Sequence, residues 1–205
     1  AARVVSVNIQ REHQAILEGP EEITLTEQAT LPMRLNGIPL ALRPQGFFQT
    51  NSHIAAALYR QGADWFADSG AGGLWDLYCG VGGFALHAAR RVPGARVLGL
   101  EISEQAVAAA RTTAADLGLE RVRFTAGDAT GIATGIAAGA GRRAPEALVV
   151  NPPRRGLGPE LAAWIEGSGI PTVIYSSCHA PSLVRDLSAM PSLSCLLYTS
   201  PSPRD

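Results

Sequence analysis

The chain has 205 residues, of which 46% are hydrophobic and 17% charged, and its formal net charge is −1. That length and composition suit one packed α/β domain plus a small additional piece, and they exclude a disordered or fibrous chain. A near-neutral charge gives no global basic field, so any contact with nucleic acid has to come from local arginine clusters; all 17 basic residues are arginine. No apolar run approaches the roughly 18 residues of a membrane span, and no signal peptide opens the chain. Three cysteines (Cys79, Cys178 and Cys195) are odd in number and far apart, with neither CxxC spacing nor a disulfide framework. A reducing cytoplasm is therefore the expected location, and no metal centre is expected.

Taken in order, Val4–Ile9, Glu22–Thr26 and Met33–Leu42 carry alternating or β-branched patterns separated by Gly-Pro and Asn-Gly turns, as strands of a small antiparallel unit do. The opening AARVVSVNIQ has no evident start, which predicts that the chain continues a longer N-terminal part. Phe47–Asn51 leads into a helix predicted over Ser52–Ala67, with Ser52 or Asn51 as N-cap. From Gly73 the pattern alternates. Strands are predicted at Gly73–Tyr78, Arg96–Glu101, Val122–Ala126, Ala147–Asn151 and Thr172–Ser176. Helices are predicted at Phe84–Arg91, Glu104–Leu117, Pro159–Glu166 and Pro181–Ser188. Such alternation implies a parallel sheet covered on both faces, with ligands beyond the carboxyl ends of its strands. Thr130–Arg143, rich in Gly and Ala, reads as a weak helix or a loop. The Ser/Pro-containing stretch from Ser192 to Asp205 does not fit the alternation and is set apart from the fold.

Four of the loops after the predicted strands carry unusual residues. After the first comes Tyr78 with Gly80, Gly82 and Gly83, a turn in which missing side chains let a ligand approach the backbone. Glu101 ends the second strand, 21 residues after Gly80. That is close to the spacing at which a carboxylate meets a ribose hydroxyl pair. The turn reads GVGG, not GxGxxG, and no P-loop lysine follows, so S-adenosylmethionine suits it better than NAD or ATP. After the fourth strand comes Asn151-Pro152-Pro153-Arg154-Arg155-Gly156, where two prolines stop regular pairing and hold the asparagine extended. After the fifth comes Ser176-Ser177-Cys178-His179. A thiol just before a helix, across from arginines, is of the kind used as a nucleophile, whereas Cys79 reads as packing. His53, His87 and His179 lack metal-ligand spacing and read as surface or structural residues.

The segments FFQTN (Phe47–Asn51), DLYCGVGGF (Asp76–Phe84), VVNPPRRGLG (Val149–Gly158) and YSSCHAPSLVRDL (Tyr175–Leu187) together resemble the RNA uracil-C5 methyltransferases. The Asn of NPPRRG and the YSSC form are most similar to the branch that methylates a uridine of 23S ribosomal RNA. The resemblance covers roughly residues 3 to 190. It implies a doubly wound, Rossmann-like class I SAM-dependent methyltransferase domain over 48–191, preceded by part of a β-rich domain over 1–47. It implies Gln49, Tyr78, Glu101 and Asn151 as S-adenosylmethionine contacts, Asp128 beside the adenine, Cys178 as nucleophile, and an RNA partner without membrane or DNA. Two departures stand out. The family's general base is a Glu near the C-terminus, which the stretch after Ser192 does not match. The cysteine-rich segment that holds a [4Fe-4S] cluster in members of that branch also has no counterpart here. A tRNA-directed or other rRNA-directed relative, and a fragment that binds RNA or cofactor without turnover, remain open at this level.

Overall fold

In the computed structural model, which describes residues 2–11, 19, 21–44, 46, 48–49, 51–131, 135 and 144–194, the central sheet has five parallel strands in the order β7-β6-β5-β8-β9. These are β5 (Gly73–Leu77), β6 (Arg96–Glu101), β7 (Val122–Ala126), β8 (Ala147–Val150) and β9 (Thr172–Tyr175). Their connections run through α2 (Gly83–Arg91), α3 (Glu104–Asp116) and α4 (Pro159–Ser168), and α5 (Ala180–Ser188) follows β9. A sheet that starts in the middle and winds outward in both directions is the doubly wound arrangement, with its switch point between β5 and β8.

The strands are apolar on both sides because both faces are covered. On β5, Leu74 enters one core and Trp75 and Leu77 the other; on β8, Ala147 and Val149 face the first while Leu148 and Val150 face the second. The first core is closed by Phe66 of α1 (Ser52–Asp68), Phe84 of α2 and Val107 of α3, the second by Leu161 and Ile165 of α4. Leu74, Leu77, Leu100 and Leu148 are fully buried, each worth about 1.5–3 kcal/mol relative to exposure. On the second face Trp164 stacks on Trp75 with ring centres 6.0 Å apart.

Asn51 is the N-cap of α1, its side-chain oxygen accepting the amides of His53 and Ile54, both at 3.1 Å. Ahead of it, β1 (Ser6–Ile9) pairs with β2 (Glu21–Thr24), and β3 (Leu31–Leu35) with β4 (Ile38–Leu42) across an Asn36-Gly37 turn. The β3–β4 hairpin is built into the first core: Leu35, Ile38 and Leu40 are buried there, and Thr113 of α3 donates its hydroxyl to the Pro39 carbonyl at 3.1 Å. At the other end, Ser192 donates its amide and hydroxyl to Glu166 of α4, and Leu193 packs against the second core. Residues 195–205, including Cys195, and most of Thr130–Arg143 lie outside the described residues, as do Phe47 and Thr50 of FFQTN. No helix among the described residues is long and apolar enough to cross a membrane.

Candidate active site

Parallel pairing in register brings the ends of β5, β6, β8 and β9 to one edge of the sheet, and the four unusual loops with them. At the end of β5, Tyr78 takes φ +63. A bulky residue in the left-handed region costs on the order of 1–3 kcal/mol and persists only where its surroundings enforce it. The chain then turns through Cys79, whose amide bonds the Leu100 carbonyl at 3.0 Å, and Gly82 closes the turn by donating to the Cys79 carbonyl at 2.9 Å. Gly82 has φ +86, and a Cβ there would stand 2.9 Å from the Phe124 ring, so only glycine fits. Above Gly80 nothing lies within 4 Å of where a Cβ would be, which leaves that backbone open to approach.

Glu101 reaches across from β6 and braces this turn. One carboxylate oxygen accepts the Gly80 amide and the other the Ser103 amide, each at 3.0 Å. A carboxylate accepts about four hydrogen bonds, so Glu101 retains acceptor capacity for a pair of hydroxyls. Asp128, two residues past β7, accepts the Gly131 amide at 2.7 Å. With Thr130, Leu157, Gly158 and Glu160 it borders an open cavity of about 370 Å³ between the end of β7 and the start of α4. That volume is within the range of small-molecule sites. The Tyr78 hydroxyl is hydrogen-bonded to Thr130, while burial pushes its pKa upward.

Asn151 prolongs the β8 ladder through its amide to the Leu77 carbonyl at 3.4 Å, and a turn from the Pro153 carbonyl to the Gly156 amide at 2.8 Å folds the loop back. Arg154 and Arg155 are exposed. Cys178 is also exposed. It is bracketed by the Ser177 hydroxyl, which accepts the His179 amide at 3.1 Å and donates to the His179 carbonyl at 3.2 Å. His179 is then the N-cap of α5, its ring nitrogen accepting the Ser182 amide at 3.3 Å. Gln49 lies half-buried just before the α1 cap. Cys79 is buried, and that burial, followed by Asp76 and Glu101, raises its thiol well above the ordinary range. His87 is buried against Tyr59 with its Nδ1 on the Gly83 carbonyl, and burial lowers its pKa. His53 is exposed at the start of α1.

Two acidic residues beneath these loops received no role from the sequence. Asp76, in the middle of β5, is completely buried; one oxygen accepts the Ala85 amide at the start of α2 at 2.9 Å and the other has no partner. Burial, then the charge of Glu101, push its carboxyl up to about 8 against the opposing Ala85 bond. Asp186 on α5 is buried behind the NPPRRG loop. A signal existed for the first: a single acid inside the apolar run GLWDL has to be satisfied or neutralised.

Residues 75–138 match the family described as a methyltransferase domain. The chain is 50% identical over 188 residues to a protein of Halothiobacillus neapolitanus named 23S rRNA (uracil(747)-C(5))-methyltransferase RlmC, covering 92% of this chain and 49% of that one. It is 48% identical over 187 residues to the RlmC of Pectobacterium carotovorum, covering 91% and 48%. The chain thus spans about half the length of the curated relatives it matches. Among solved structures it is similar to the Pyrococcus abyssi tRNA (uracil-54, C5)-methyltransferase in complex with S-adenosyl-L-homocysteine. The TM-score is 0.72 at 24% identity, over 92% of this chain and 44% of that one. The fold is therefore that of a Rossmann-like methyltransferase domain, preceded by a small antiparallel β region.

Proposed function

We propose that this chain is the cofactor- and nucleophile-bearing part of an enzyme that transfers a methyl group from S-adenosylmethionine to C5 of a uridine in 23S ribosomal RNA. The observation that carries the reading is the gathering of the glycine turn, Glu101, the NPPRRG loop and Cys178 at one edge of the sheet. Near-50% identity to proteins named for that reaction supports it. It also favours ribosomal RNA over transfer RNA, since the tRNA enzyme is 24% identical.

The residues fit the cofactor. Glu101 would take the ribose hydroxyls with its spare acceptor sites, and the bare Gly80 backbone would admit the methionine end, with Tyr78, Asn151 and Gln49 around it. Asp128 would border the adenine at the cavity it lines. Bound there, S-adenosylmethionine supplies a methyl group on a positive sulfonium. C5 of uracil is a poor nucleophile, and Cys178 answers that need. Attack of its thiolate on C6 forms a C6–S bond and moves the electron pair toward C5 and the O4 enolate, so C5 can take the methyl. A base then removes the C5 proton, and the returning electron pair expels the thiolate. An exposed thiol suits this task because a base turned out of its RNA stack has to reach it.

The test is methyl transfer from labelled cofactor to a 23S rRNA fragment, with digestion to identify the product. Label should enter the RNA at C5 of uridine, as 5-methyluridine or, where no base removes the C5 proton, as a Cys178-bound 5-methyl adduct. Transfer to tRNA but not to 23S rRNA would move the substrate assignment, and failure to bind S-adenosylhomocysteine would remove the cofactor from it.

A further inference from the structure

Asp186 is only 2% exposed, on a helix whose neighbouring positions face water. One of its oxygens accepts both the Leu157 amide and the Tyr175 hydroxyl, each at 2.7 Å. The other faces the Arg185 guanidinium at 3.2 Å, and the same guanidinium donates to the Arg155 carbonyl. These partners come from three places: Arg155 and Leu157 from the loop that begins at Asn151, Tyr175 from the end of β9, and Arg185 from the helix that follows Cys178. Gly156, between Arg155 and Leu157, has φ +83, and a Cβ there would overlap the Asp186 carboxylate. The loop therefore lies directly on the carboxylate with no room for a spacer. Burial, then the bond to Asp186, raise the Tyr175 hydroxyl above its ordinary range, so it stays protonated and able to donate.

A buried carboxylate is weak evidence for stability, since an apolar side chain of similar size often does as well. Its hydrogen bonds, by contrast, fix direction. We propose that Asp186 is a positioning residue: it locks the loop carrying Asn151, on the cofactor side, to the helix behind Cys178, so that methyl donor and thiol are held in one geometry toward the target base. This rests on the uracil-C5 reading above. Asp186 acts through Leu157, Tyr175 and Arg185 rather than by touching base or cofactor.

The experiment compares the whole chain with Asp186→Ala, Asp186→Asn and Tyr175→Phe. Amide hydrogen exchange reads the lock without any need for turnover. In Asp186→Ala the Leu157 amide should exchange about tenfold faster or more. Exchange should also quicken around Ser177–Ala180, while Gly80–Gly83 keeps its protection. Asp186→Asn retains an oxygen for Leu157 and Tyr175, so it should recover most of the protection. Tyr175→Phe keeps the carboxylate and should give an intermediate loss, which serves if Asp186→Ala does not fold. The second readout is the SAM-dependent covalent complex with a 23S rRNA fragment carrying 5-fluorouridine, whose C5 fluorine blocks elimination. At saturating RNA its rate constant should fall on the order of 100-fold in Asp186→Ala. Affinity for S-adenosylhomocysteine should fall far less than the rate, because Glu101 and the Gly80 turn are untouched, and Asp186→Asn should restore most of the rate. Unchanged exchange at Leu157 in both Asp186→Ala and Tyr175→Phe, or a parental complex rate in Asp186→Ala, would overturn the proposal. If the parent itself forms no complex, the uracil-C5 reading fails, and exchange at Leu157 and Ser177–Ala180 still decides whether Asp186 locks the two segments.

Discussion

Replacing Asp76 by Asn should change how stability depends on pH, and the structure sets the size of the effect. Asp76 has no exposed surface, one hydrogen bond from Ala85, and a second oxygen without a partner. Burial and the nearby Glu101 raise its carboxyl to about 8 in the folded chain, against about 3.9 when unfolded. Between those values the native chain holds a proton that the unfolded chain has released. For an acid raised in this way, stability is fully present below about pH 4 and is lost as pH rises through about 8. Within the window, one proton changes stability by about 1.4 kcal/mol per pH unit. Asn is close in shape and cannot ionise. Tyr59, Cys79 and Glu101 face residue 76 in both proteins, so their contributions largely cancel in the comparison. Urea unfolding at pH 5, 6 and 7 should therefore show the parent losing roughly 3 kcal/mol relative to Asp76→Asn across those two units. Curves that stay parallel would mean that Asp76 is ionised in the native state, contrary to a raised carboxyl.

Three further outcomes are expected. Glu101→Ala should weaken S-adenosylhomocysteine binding by about tenfold or more, the loss of a charge-assisted hydrogen bond worth roughly 1.5–3 kcal/mol; equal calorimetric affinities would remove Glu101 from the cofactor site. Gly99→Ala would place a Cβ 2.8 Å from the Cys79 sulfur and into the Phe124 ring. It should cost about 1–3 kcal/mol by overpacking, read by chemical denaturation. Asn51→Ala removes the acceptor for His53 and Ile54 at the start of α1 and should cost about 1 kcal/mol, measured in the same way.

The central sheet was legible because its strands are short apolar runs separated by helical periods. β6 and β7 fall on their predicted residues, and β5, β8 and β9 each end one residue early. At β5 the cause is Tyr78, which turns into the left-handed region; Asn151 and Ser176 still donate to Leu77 and Val150 of the neighbouring strands, and the pairing ends with them. The four loops were legible because proline, glycine and charge interrupt apolar strands there. Asp186 was not. On a surface helix an acid is ordinarily solvated, and only the folded chain brings Leu157 and Tyr175 onto it from positions 29 and 11 residues away. Nor did the sequence indicate that the β3–β4 hairpin shares a core with α1, α2 and α3. Alternation marks a strand's buried face without naming what covers it.

The proposed methyl transfer stands or falls with attack of Cys178 on the target uracil. A 23S rRNA fragment carrying 5-fluorouridine, incubated with S-adenosylmethionine and run on a denaturing gel, tests it most directly, because fluorine at C5 cannot leave as a proton and the complex persists. The parent chain and Cys79→Ala should each give a cofactor-dependent shifted band, and Cys178→Ala none. A band that survives in Cys178→Ala would contradict it.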